Sequence, residues 1–95
     1  MSIPRFRQLE ALMRTLNAHP DEHWRNRMQQ LASGLAEDLA GGDGEFGFKW
    51  LCNGLVDLAA EGFRLPHELY RQIEDAGRSI AAPEKQWTML EQYVA

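Results

Sequence analysis

Apolar residues recur along this chain at helical spacing, and they predict its elements. Ile3, Phe6, Leu9, Leu12, Met13 and Leu16 recur at helical spacing, which makes a first helix through about Ala18, with Ser2 able to cap its start. Asn17 to Pro20 breaks it, because proline disfavours helical geometry in the residue before it; Pro20, Asp21 and Glu22 suit the first turn of a second helix. Trp24, Met28, Leu31, Leu35 and Leu39 then form one narrow stripe, with Arg25, Gln29 and Glu37 opposite. Gly41, Gly42, Asp43 and Gly44 have too little helix propensity to continue and mark a loop.

From Glu45 the chain is dense in apolar residues. Phe48, Leu51, Leu55 and Leu58 fall on one side and Trp50 near another edge, so this third helix is expected to be the most buried. Gly62 suits a left-handed cap, and Pro66 suits the first position of a fourth helix with Glu68 in its first turn. Leu69, Ile73, Ala76 and Ile80 supply that helix's inward stripe, and Pro83 starts a short last helix with Trp87, Leu90 and Val94. No run alternates in the manner of a strand, so the expected fold is all-α, a compact bundle of four to five helices in a single domain over residues 1–95. At 95 residues one core forms, and little room is left for a deep cleft.

The residue types that carry chemistry do not assemble into a reactive constellation. His19-Pro20-Asp21-Glu22-His23 has the spacing of a zinc-binding H-x-x-E-H string, but Pro20 makes it a turn, so the two imidazoles are not expected to converge on one metal. Gly42 to Gly47 has G-x-G-x-x-G spacing, yet it follows a helix, and Asp43 and Glu45 would repel a phosphate. Ser2, Ser33 and Ser79 lack a nucleophile-elbow signature, and Cys52 beside Leu51 reads as a core thiol. His67 reads as a surface residue, and Trp24, Trp50 and Trp87 read mainly as core, with one of them reaching an interface. The expectation is a non-enzyme with no cofactor and no metal.

Charge narrows the class of partner. The whole chain carries −4, which opposes attraction to nucleic-acid phosphates. Residues 1–30 hold five arginines against three acids, a balance of +2. Residues 31–62 hold six acids, Glu37, Asp38, Asp43, Glu45, Asp57 and Glu61, against Lys49 alone, a balance of −5. A surface of that kind steers a basic protein partner towards it. No segment has the length and apolarity of a membrane span, residues 1–18 mix three arginines among their apolar positions, and a single cysteine makes no internal disulfide, so the cytoplasm is the expected compartment.

The segment Gly44 to Ile80, with "WLCNGL" at the centre of an apolar helix and "LPHELYRQI" after a short turn, resembles small acidic helical immunity proteins of bacterial polymorphic and contact-dependent growth-inhibition toxin systems, of the colicin-D-immunity-like kind. The resemblance implies a cytoplasmic inhibitor that binds one cognate toxin domain, commonly a nuclease or tRNase, in a 1:1 complex, and that is a monomer or weak homodimer when free. On that reading Glu37, Asp38, Asp43, Glu45, Asp57 and Glu61 stand in for substrate phosphates, with Phe46 and Trp50 as apolar anchors. The arginine-rich first helix departs from the pattern. Two other classes compete: a secretion chaperone or phage-type inhibitor of a host complex, and a helical nucleic-acid-binding regulator using Arg5, Arg7, Arg14, Arg25 and Arg27 against phosphates.

Overall fold

Helix ends are set by residues that satisfy the backbone groups a helix leaves unpaired. A computed structural model describes residues 4–95, so the expected cap at Ser2 and the contact at Ile3 lie outside the described residues. Residues Pro4–Phe6 form a 3-10 turn that leads into α1, Arg7–Asn17, so the α-helix proper starts later than the apolar spacing suggests. Then come α2, Glu22–Ala40, and α3, Gly44–Ala60. Asp21 caps α2 by accepting from the His23 N–H at 2.9 Å, and Asp43 caps α3 by accepting from the Phe46 N–H at 3.3 Å. The loop between α2 and α3 is therefore shorter than the glycine cluster implies, since Gly44 is already helical. α4 covers His67–Ser79 with Pro66 as its cap residue, one position later than expected, because Pro66 sits at ψ 147°, outside the helical region. The final segment divides into a one-turn α5, Lys85–Thr88, and a 3-10 turn, Glu91–Tyr93.

At the C-terminal ends of α2, α3 and α4 the same paired bonds recur. Each helix closes on a residue in the left-handed region: Gly42 at φ 80°, Gly62 at φ 111° and Ala81 at φ 55°. Around Ala81 the Ala82 N–H donates to Gly77 O at 2.9 Å and the Ala81 N–H to Arg78 O at 3.1 Å, the pattern that usually carries glycine. A Cβ in this region costs about 1 kcal/mol, and the extra freedom glycine gives the unfolded chain offsets part of the relief. Ala81→Gly is expected to stabilise the fold by about 0.5 kcal/mol, read as a rise in thermal midpoint of roughly 2–4 °C. A lower midpoint would mean that the Ala81 methyl makes contacts worth more than the strain.

The core joins every helix. α2 packs between α1 and α3, α1 also packs on α4, and α5 closes the ring by packing on α3 and α4. Leu9, Leu12 and Leu16 of α1, Met28 and Leu35 of α2, Phe48, Leu51 and Leu55 of α3, and Ile73 of α4 are fully buried, as their stripes predicted. α3 supplies the most buried positions of any helix, again as expected. Trp87 closes the open end: its ring meets Phe48 edge to face at 6.2 Å between centroids and rests on Gly77, where an added Cβ would lie 2.4 Å from a ring carbon. The chain end is tied back by a parallel bridge, with the Leu65 N–H donating to Tyr93 O and the Ala95 N–H to Leu65 O, both at 2.9 Å. Among the described residues no helix is long and apolar enough to cross a membrane.

Candidate functional site

The face formed by α2 and α3 carries the acidic and aromatic residues singled out in the sequence, and the helices sort them into distinct groups. Along α3, Phe46, Trp50, Asn53, Asp57 and Glu61 succeed one another at intervals of four, three, four and four, which places them on one exposed stripe. Phe46 and Trp50 retain 54% and 39% of their exposure, and they are the large exposed hydrophobics among the described residues. Three glycines bring the two helices close together. A Cβ on Gly34 would lie 2.4 Å from the Trp50 ring, one on Gly47 would lie 2.9 Å from Asp38 Cβ, and one on Gly54 would lie 2.6 Å from Leu31 Cδ2. The Trp50 indole thus lies across α2 at Gly34 with part of its surface open to solvent.

The six acids do not form a single field. Glu45 lies on another side of α3 and pairs with Arg5, whose guanidinium also donates to Ile80 O at 3.0 Å. Glu61 accepts two bonds from Arg27, at 2.9 and 2.8 Å. Those bonds hold the Glu61 carboxyl below its ordinary pKa and the Arg27 guanidinium above its own. Asp43 is engaged by its cap. Glu37, Asp38 and Asp57 make no hydrogen bond or ion pair among the described residues; Asp57 feels the Arg27 guanidinium through space, while Glu37 and Asp38 lie at the other end of this face. Asp38 comes from the end of α2 beside Gly47, Glu37 from the exposed side of the same turn, and Asp57 from the middle of the α3 stripe.

The arginines are also largely committed to the fold. Arg25, expected on an outward face, turns back to donate to His19 O at 3.2 Å and Pro20 O at 3.0 Å, tying α2 to the end of α1. With Arg5 and Arg27 in ion pairs, Arg7 and Arg14 are the members of the basic set without a hydrogen bond or ion pair among the described residues. A phosphate-binding row of five does not exist in this arrangement.

The other tempting motifs resolve into packing. His19 lies edge-on to Phe63 at 6.0 Å and His23 edge-on to Trp24 at 4.7 Å, on either side of the α1–α2 turn. Gly44 and Gly47 of the G-x-G-x-x-G string are buried against the Phe6 ring and against Leu35 and Asp38. Cys52 is fully buried in the core, and burial pushes its thiol up to about 12, far from thiolate chemistry at neutral pH. His67 is exposed. The three tryptophans divide: Trp87 is core, Trp24 is partly buried and Trp50 is exposed.

Sequence reasoning missed Gln30, Asn53 and Gly54 and placed Arg27 only in a phosphate-binding set; these four, with Leu31, Trp50, Asp57 and Leu58, line a groove of about 310 Å³ between α2 and α3. The available signal was the pair of mid-helix glycines, Gly34 and Gly54, since glycine inside a helix costs about 1 kcal/mol and marks close approach of a neighbour. No protein-family model, curated protein or solved structure matches this chain, so the functional reading rests on its own residues.

Proposed function

We propose that the protein is a stoichiometric inhibitor of the immunity type, which binds one basic toxin domain of nuclease or tRNase chemistry through the α2–α3 face. The observation that carries this reading is the placement of two exposed aromatics, Phe46 and Trp50, on the same stripe as Asp57 and next to the last turns of α2, whose Glu37 and Asp38 are unpaired among the described residues. Buried aromatic anchors ringed by polar groups dominate the energetics of protein interfaces. Charge of one sign around them speeds encounter and selects a partner of the other sign. A nuclease must expose a basic surface to hold its substrate backbone, and an acidic protein seated there excludes RNA or DNA.

Co-expression with the polypeptide encoded immediately upstream tests the reading directly. A tight 1:1 complex, together with growth rescue in cells that express the upstream product, is the expected outcome; neither complex nor rescue would sink it.

The six acids are not equally informative as charge reversals. Asp43→Lys removes a helix cap, and Glu45→Lys places a cation against Arg5, so both perturb the fold as well as the surface. Glu37→Lys does neither. It is expected to slow association by about threefold to tenfold at low salt and by much less at high salt, with little change in dissociation rate. Unchanged association kinetics at low salt would remove the end of α2 from the interface.

A further inference from the structure

The groove beside Trp50 has lining groups specific enough to select what enters it. Its volume, about 310 Å³, suits one long side chain rather than a folded segment. One wall is the half-open indole of Trp50, and the other lining groups include the side-chain amides of Gln30 and Asn53 and the carboxylate of Asp57, none of which is hydrogen-bonded among the described residues. Arg27 also lines the groove, but two bonds to Glu61 fix its guanidinium and offset its charge. Asp57 acts on Arg27 electrostatically without a bond among the described residues, and Arg27, Glu61 and Asp57 together carry one net negative charge.

An occupant that satisfies this set must be cationic, must present a flat face to an indole, and must offer several donors to acceptors set apart from one another. An apolar side chain would leave Asp57, Gln30 and Asn53 desolvated without partners. An ammonium supplies the charge as a compact point and does not stack. A guanidinium meets all three demands, since it is planar, permanently charged, carries five donors in a fixed fork and packs on aromatic faces.

We infer that the groove between α2 and α3 is a seat for one arginine side chain of the partner, stacked on Trp50 and paired with Asp57. The inference rests on the α2–α3 face being the docking surface, and it narrows the basic partner to one that projects an arginine at its centre.

The test uses the full chain alone, titrated with N-acetyl-arginine amide and followed by ¹⁵N NMR at the Trp50 indole N–H and the Gln30 and Asn53 side-chain amides. The lysine and citrulline analogues serve as matched probes: one keeps the charge without the plane, the other keeps the plane without the charge. Saturable shifts at those signals, with a dissociation constant roughly in the millimolar range expected of so small a ligand, are predicted for arginine. Lysine and citrulline should bind at least about fivefold more weakly, and Asp57→Asn should weaken arginine by a similar factor while the rest of the spectrum stays in place. Trp50→Ala should abolish saturation.

Absence of shifts, equal response to lysine, or shifts confined to Glu37 and Asp43 would overturn the seat. The titration does not involve a toxin. A groove indifferent to arginine in a protein that still rescues growth sinks the seat alone, whereas arginine binding without complex or rescue sinks the inhibitor reading alone.

Discussion

Trp87→Ala is expected to remove about 3–5 kcal/mol of folding stability, the largest effect of any single truncation in this chain. The ring is 1% exposed and joins three elements, α3 through Phe48, α4 through Gly77 and its own α5. Its loss leaves a cavity that the surrounding helices can fill only by moving α5 as a unit. A domain of this length has roughly 5–14 kcal/mol in total, so the variant should melt at least about 12 °C lower and populate unfolded chain at modest denaturant. Trp87→Phe separates packing from polarity. Among the described residues the buried Trp87 Nε1–H has no hydrogen-bond partner, so phenylalanine discards an unpaired donor while keeping the edge contact with Phe48, and should lose only about 1–2 kcal/mol. Urea denaturation of the three proteins decides it; a loss below about 1 kcal/mol in Trp87→Ala would show that α5 does not close the core.

Trp50 and Phe46 should behave in the opposite way. Phe46→Ala is expected to leave the urea midpoint within a few tenths of a molar, whereas Trp50→Ala, which also removes the packing on Gly34, should lower it further; each should weaken the proposed partner complex by about 2 kcal/mol or more, roughly thirtyfold. Most of that loss should appear in the dissociation rate, since neither side chain contributes to long-range steering. Glu37→Lys supplies the complementary case, with its effect in the association rate. The double variant need not show the sum, because residues one helical turn apart share neighbours. If calorimetry finds Phe46→Ala and Trp50→Ala binding as tightly as the unmodified protein, the α3 stripe is not the interface, whatever the growth assay shows.

Much of the fold follows from local pattern. The breaks at Asn17 to Pro20 and at Gly41 to Asp43, the cap at Gly62, the inward stripes of α2, α3 and α4 and the burial of Cys52 come from periodicity and from residues whose backbone preferences act over a few positions. The same reasoning misplaced ends by one to four residues at Arg7, Gly44 and His67, where a 3-10 turn, an aspartate cap and a proline outside the helical region decide the first turn. The left-handed turn at Ala81 had no sequence signal, because the residue there is not glycine and the turn is held by the Ala82 and Ala81 N–H groups donating to the Gly77 and Arg78 carbonyls.

By itself the sequence determined that the chain is helical, where its helices break, which stripe of each is apolar, and that its acids concentrate between residues 31 and 62. Tertiary structure alone decided which of those acids remain unneutralised. Arg5 reaches Glu45 across 40 positions and Arg27 reaches Glu61 across 34, pairings that no helical period encodes because they depend on which helices become neighbours. It also decided the different fates of the three tryptophans. Each lies in a helical segment, but burial depends on what packs opposite: Gly77 and Phe48 enclose Trp87, whereas Gly34 supports only one part of Trp50 and leaves the rest to solvent. Periodicity fixes the direction in which a side chain leaves its helix, and only the packed neighbours determine whether it meets protein or water.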